Sequence, residues 1–200
     1  MEKRKFLINQ AIATSIIAAF QHAGVYSAGL KVNDPRKNSL RKELADRLRS
    51  LGEKYHEPVT GEEHCRNIED LADTLTKRYK GTGLLRNDRF RIGITQKALN
   101  GYLKNLWCLE EVTPPPPHCP LDRQIIDKLD LKTRRSEYDW TKLDDIEEYK
   151  ELISLCEKKA REKGSRNIAE WELEVYEGSI RDLPTPPHGG ETAMAANPAH

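Results

Sequence analysis

The chain has 200 residues, of which 32% are charged and 37% hydrophobic, with a formal net charge of +1. That length is enough for one buried core, and the composition is that of a hydrated helical protein rather than a fibrous one. A near-zero net charge supplies no global field for nucleic acid, so any such binding must come from a local basic face.

No apolar run reaches the roughly 20 residues that a membrane span needs. Lys3, Arg4 and Lys5 ahead of Ile8 to Ala19 mimic a secretory leader weakly, but Asn9 and Gln10 interrupt the run and an amphipathic first helix explains it better. A cytoplasmic location is the expectation.

The first helix is expected from about Lys5 to Ala23, with Ile8, Ile12, Ile16 and Phe20 recurring on one side and Gly24 as its stop. Asp34-Pro35 reads as a cap followed by a first-turn proline. It introduces a helix with Leu40, Leu44, Leu48 and Leu51 on one stripe and Gly52 beyond it. The opposite face carries Arg36, Lys37, Arg41, Lys42, Arg47 and Arg49, diluted by Glu43, Asp46 and Glu53, and reads as a solvated surface. Thr60-Gly61-Glu62-Glu63 is a capping box that opens a third helix to about Tyr79, with Ile68, Leu71 and Leu75 inward.

Leu84 to Ile92 is expected to be an irregular or extended link ending at Gly93. The helix that follows buries Ala98, Leu99, Tyr102, Leu103, Leu106 and Trp107 and puts Lys97, Gly101 and Lys104 on another face. Four consecutive prolines, Pro114 to Pro117, cannot continue a helix and make a stiff connection that sets the spacing of its neighbours. Asp122 then caps a helix with Leu121, Ile125, Ile126 and Leu129, and Leu143 to Lys163 forms another, stopped by Gly164. Ser165 is expected to cap the last helix, which carries Ile168, Trp171, Val175 and Tyr176. From Gly178 the residues have little to bury and read as a disordered tail. The fold class expected is all-α, one domain over residues 1–177 with a tail over 178–200.

Cys65, Cys108, Cys119 and Cys156 are too dispersed for a closely spaced metal or cluster motif, and neighbouring residues such as His64-Cys65 and His118-Cys119 seldom both face one ion. No metal or cofactor is expected, and the thiols are expected to be free.

Gly93-Ile94 followed by Lys97, Ala98 and Asn100, and later Pro120-Leu121-Asp122 with an apolar helix, resembles the helix-hairpin-helix DNA glycosylase superfamily, including its 8-oxoguanine-removing branches. The matching part covers roughly Phe90 to Leu129. The resemblance implies a helix-hairpin-helix-like element against a DNA backbone, Lys97 as the nucleophile and Asp122 as the essential carboxylate.

A desolvated lysine favours its neutral amine and can attack a sugar carbon, while a carboxylate can stabilise oxocarbenium character or accept a proton. The extruded base would need a pocket, with Trp140, Tyr102 or Trp107 available for stacking. Gly93, Gln96, Lys104, His118, Arg123 and Trp140 are the residues expected to contact substrate. The alternative expectation is a non-catalytic helical module that binds DNA or a protein partner, with Lys97, Lys104 and Arg123 on phosphates.

Overall fold

The computed structural model describes residues 2–112, 114–129, 131 and 138–181. Among them are seven α-helices and no strand: α1 (Lys3–Phe20), α2 (Pro35–Gly52), α3 (Gly61–Tyr79), α4 (Ile92–Cys108), the single turn α5 (Arg123–Ile126), α6 (Ile146–Lys163) and α7 (Ile168–Arg181). The all-α expectation is met. None of these helices is long and apolar enough to cross a membrane.

The helix ends follow local chemistry. Asp34 accepts the Arg36 amide at 3.0 Å, Thr60 Oγ1 accepts the Glu63 amide at 3.1 Å, and Asp145 accepts those of Glu147 and Glu148. Each satisfies a donor that the first turn of a helix leaves open. Gly164 closes α6 in the left-handed region, φ 78°, which a residue without Cβ enters freely.

Helix α4 sits at the centre, packed against α1, α2, α3 and α6. Its apolar positions Ile94, Ala98, Leu99 and Leu103 are fully buried, and Leu40, Leu44 and Leu48 of α2 close the core from another side. Burying side chains of this size contributes about 1.5–3 kcal/mol each, so the periodic leucines on these helices are what holds them together. Helix α7 docks mainly on α6 and reaches across to the polar face of α4.

Several expectations are corrected. Asn167, not Ser165, caps α7: its Oδ1 accepts the Glu170 amide at 2.9 Å, while the Ser165 hydroxyl donates to Glu174 at 2.7 Å. Three residues ahead of an amide is the reach of a capping side chain, and Asn167 alone occupies that position. The sixth helix starts at Ile146 rather than Leu143, because Trp140 to Asp144 is drawn onto the start of α4. Helix α7 continues through Gly178 to Arg181, and the remainder of the expected tail, residues 182–200, lies outside the described residues.

The link that ends at Gly93 is irregular and extended, as expected. Gly93 is the second residue of α4, and the segment before it is a short 3₁₀ turn, Arg86–Asp88, followed by extended backbone. Its location is decided by packing: a Cβ at Gly93 would lie 1.8 Å from the Trp140 carbonyl oxygen. Glycine here admits another stretch of this same chain.

Candidate active site

The first turn of α4 has amides with no partner inside the helix and no side-chain cap of its own. The Trp140–Asp144 segment supplies the acceptors. The Gly93 amide donates to the Leu143 carbonyl at 2.8 Å, and the Ile92 amide to Asp144 Oδ1 at 3.1 Å. Arg89 donates to the same Asp144 carboxylate at 2.9 Å and reaches Asp73 of α3, which fixes the segment in place. Because Gly93 lets the Trp140 backbone come so close, the Trp140 indole lands 4.1 Å from the Lys97 ammonium, which lies over its ring.

The second wall is placed by two amide side chains one turn apart on α4. Gln96 donates to the Leu121 carbonyl at 2.8 Å and accepts the Leu121 amide at 3.0 Å, binding that residue at both ends. Asn100 donates to the Cys119 carbonyl at 3.0 Å. Together they hold the extended 119–121 backbone on α4, so Asp122 follows at a fixed height beside Lys97. An unpaired amide side chain buried here would cost about 1–3 kcal/mol, and both are fully inside.

At the site itself, Lys97 Nζ stands 3.7 Å from Asp122 Oδ2, with the two side chains 15% and 14% exposed. Asp122 Oδ1 accepts the Ile125 amide at 3.1 Å and caps α5, as expected. Its Oδ2 accepts a short hydrogen bond, 2.5 Å, from the Tyr176 hydroxyl of α7. One turn before Tyr176, Glu172 receives Lys104 Nζ at 2.6 Å, and that ammonium lies 4.8 Å from the Tyr176 ring centre. A row of charged and aromatic groups therefore runs Trp140, Lys97, Asp122, Tyr176, Lys104, Glu172 along one face of α4.

Burial lowers the Lys97 pKa below its ordinary value, against the opposing pull of Asp122, and so favours the neutral amine. Burial raises Glu172, opposed by Lys104, and its second oxygen has no hydrogen-bond partner. Tyr176 is raised by burial and by its bond to the Asp122 carboxylate, which keeps the phenol protonated and donating. An amine with depressed basicity beside an ionisable carboxyl can act as a nucleophile and hand on its proton.

Not every residue expected to touch substrate is at this face. Gly93 and Gln96 are buried and serve to place Trp140 and Leu121, for the steric and hydrogen-bonding reasons above. His118 is also internal: its ring meets the His64 ring edge-on at 4.7 Å, and its Nδ1 is 3.0 Å from the Tyr149 hydroxyl. Arg123 is 59% exposed and paired with Asp127 at 2.9 Å. Lys97, Asp122, Lys104 and Trp140 do converge. Tyr102 is buried against Gly52 on the α2 side, away from this row, and Trp107 is half-buried in the core.

Glu172 and Tyr176 are the members that sequence reasoning missed. Glu172 stands inside an otherwise apolar face, next to Trp171 and among Ile168 and Val175, and an acid at that place in the helical period is the signal that was there to read. Among the described residues no group of three or more acidic, histidine or cysteine side chains is arranged to hold a metal ion. Comparison with protein-family models, with curated proteins and with solved structures gave no match.

Proposed function

We propose that the Lys97–Asp122 site carries out glycosylase chemistry with a lyase-type amine on a damaged or modified nucleotide of DNA. The observation that carries the reading is the approach of Lys97 Nζ to Asp122 Oδ2, 3.7 Å, beneath an indole face. The amine nitrogen bonds to the sugar C1′ as the bond from C1′ to the base breaks, and that electron pair departs with the base. The amine proton passes to Asp122, which gives it to O4′ as the C1′–O4′ bond breaks with its electron pair on oxygen. The nitrogen lone pair closes a protonated Schiff base on Lys97. Trp140 is only 7% exposed. Stacking an extruded nucleotide on its indole, after a few kcal/mol to take that nucleotide out of the duplex, therefore requires the neighbouring side chains to move aside. Tyr176 lies against the same carboxylate, so substrate entry requires its hydroxyl to give way.

Borohydride reduction traps such a Schiff base covalently. Oligonucleotides bearing 8-oxoguanine, uracil or an abasic site are expected to give a trapped adduct with the protein and none with Lys97→Gln. Asp122→Asn is expected to slow base release. Absence of both adduct and base release from the unaltered protein, or an adduct that persists in Lys97→Gln, overturns the reading.

A second reading is favoured by the pairing of Lys97, Lys104 and Arg123 with Asp122, Glu172 and Asp127. In it these ion pairs only tie α5 and α7 to α4, and the domain is a non-catalytic binding module. Salt-dependent DNA binding without base release or adduct would establish that alternative.

A further inference from the structure

Helices α1 and α2 run antiparallel, with Phe20 near Arg41 and Asn9 near Arg49, and leave a groove of about 930 Å³ between them. Ile12, Ala13, Ile16, Ile17 and Phe20 of α1 supply an apolar floor. Ile17 is 66% exposed and adjoins Ala13, Ile16 and Phe20, so it extends a contiguous apolar patch rather than standing alone. Arg41, Lys42 and Arg49 of α2 form the rim. Past the Asn9–Arg49 hydrogen bond, 3.2 Å, a second hollow of about 620 Å³ continues along α1 toward Arg4 and Lys5. Glu2, Glu53 and Glu111 also line it and Arg4 is paired with Glu111, so the cationic rim belongs to the first groove. Phe6, 45% exposed, extends the apolar stripe in that direction.

We propose that this groove docks an acidic amphipathic helix of a partner protein. Two antiparallel helices make a trough into which a third packs by ridges and grooves, and 18 residues of α1 give it a length of about 27 Å, or five turns. The apolar floor takes the ligand's leucine-type face in the helix-in-groove manner.

The charge of the rim selects the sign of the partner. Lys42 and Arg49 share Asp46, so the rim keeps a positive excess, and Arg41 has no carboxylate partner among the described residues. Glutamates flanking the ligand's apolar stripe would meet these cations. Phe20, the one aromatic of the floor, already packs against Tyr26 and Phe90 and the rest of the floor is aliphatic, which disfavours the base stacking a nucleic-acid strand would need. The trough is concave, whereas a bilayer presents a flat surface. The groove lies on the α1–α2 side, apart from Lys97, and this inference does not depend on the glycosylase reading.

The test is fluorescence anisotropy with a labelled, helix-stabilised 18-residue peptide that has leucines at three-to-four-residue spacing and glutamates on both flanks. Binding is expected in the micromolar range. It should weaken at least tenfold in Ile17→Glu and in Arg41→Glu, and vanish for a peptide with lysines in place of the glutamates. Ile17 is exposed, so circular dichroism should report unchanged melting for Ile17→Glu, and only a small downward shift for Arg41→Glu, which loses its contact over the Phe20 ring. The proposal is overturned by any of four outcomes: no binding, equal binding of the lysine peptide, tighter binding of single-stranded DNA or anionic vesicles to the same residues, or a self-association that Ile17→Glu abolishes.

Discussion

The Tyr176 hydroxyl donates to Asp122 Oδ2 at 2.5 Å while the other oxygen of that carboxylate accepts the Ile125 amide. One side chain thus caps α5, fastens α7 and stands beside the Lys97 amine. Asp122→Ala removes all three at once and should cost about 1 kcal/mol for the cap plus about 1.5–3 kcal/mol for the charge-assisted bond. The expected result is a clear drop in the urea midpoint. Tyr176→Phe should lose only the second contribution, and on the proposed mechanism it should not lower the yield of trapped adduct, since the phenol is what obstructs Oδ2. A large loss of adduct in Tyr176→Phe would assign the phenol an essential part.

Gly93 and Gly101 lie on the same helix and should respond in opposite directions to alanine. A methyl at Gly93 would sit 1.8 Å from the Trp140 carbonyl oxygen, a backbone atom that cannot turn aside, whereas at Gly101 the nearest atom is the Ser15 hydroxyl at 3.4 Å. Overpacking costs typically about 1–3 kcal/mol and more where backbone must move, so Gly93→Ala should melt well below the unaltered protein. Gly101→Ala should gain up to about 1 kcal/mol of helix propensity, and thermal melts of the pair would check the contrast.

The titration of Lys97 gives a pH dependence with a definite sign. Its pKa is lowered from 10.5 by burial, so the reactive neutral amine accumulates at lower pH than on a surface lysine. Adduct formation should rise with pH and reach half its plateau below 10.5. A half-plateau at or above that value, measured by single-turnover trapping, would contradict a desolvated nucleophile.

Two internal histidines should make the fold acid-sensitive. Burial lowers His64 to about 4 and His118, with a further push from His64, to about 3. An unfolded chain binds these protons near the ordinary value of 6.5, so the stability from the neutral rings is complete above 6.5 and declines as pH falls toward 4 and 3. Each pKa unit corresponds to about 1.4 kcal/mol, so the decline amounts to several kcal/mol. Urea midpoints between pH 7 and pH 4 would follow it, and His118→Gln should flatten the slope.

Much of the fold was legible because helix ends obey local rules. Asp34-Pro35, Thr60 with Glu63, Asp122 and Gly164 each act within a few residues of themselves, so their neighbours in sequence are sufficient to place them. Ser165 and Asn167 show the limit: both are good caps, and which one served depended on where α7 meets α6. The order and approximate spacing of Lys97 and Asp122 were visible as a pattern, and their proximity follows from Gln96 and Asn100, the first read in the sequence as a substrate contact and the second only as part of the family pattern.

What the amino-acid order settled by itself was an all-helical chain and the periodic leucines and isoleucines that face its core, since 3.6-residue periodicity is a short-range property. Only the tertiary structure decided that Gly93 receives Trp140, that His118 is internal, and that Glu172 and Tyr176 complete the row beside Lys97 and Asp122. Those contacts join residues far apart in the chain, and their energies depend on burial and on backbone acceptors whose positions no local pattern encodes.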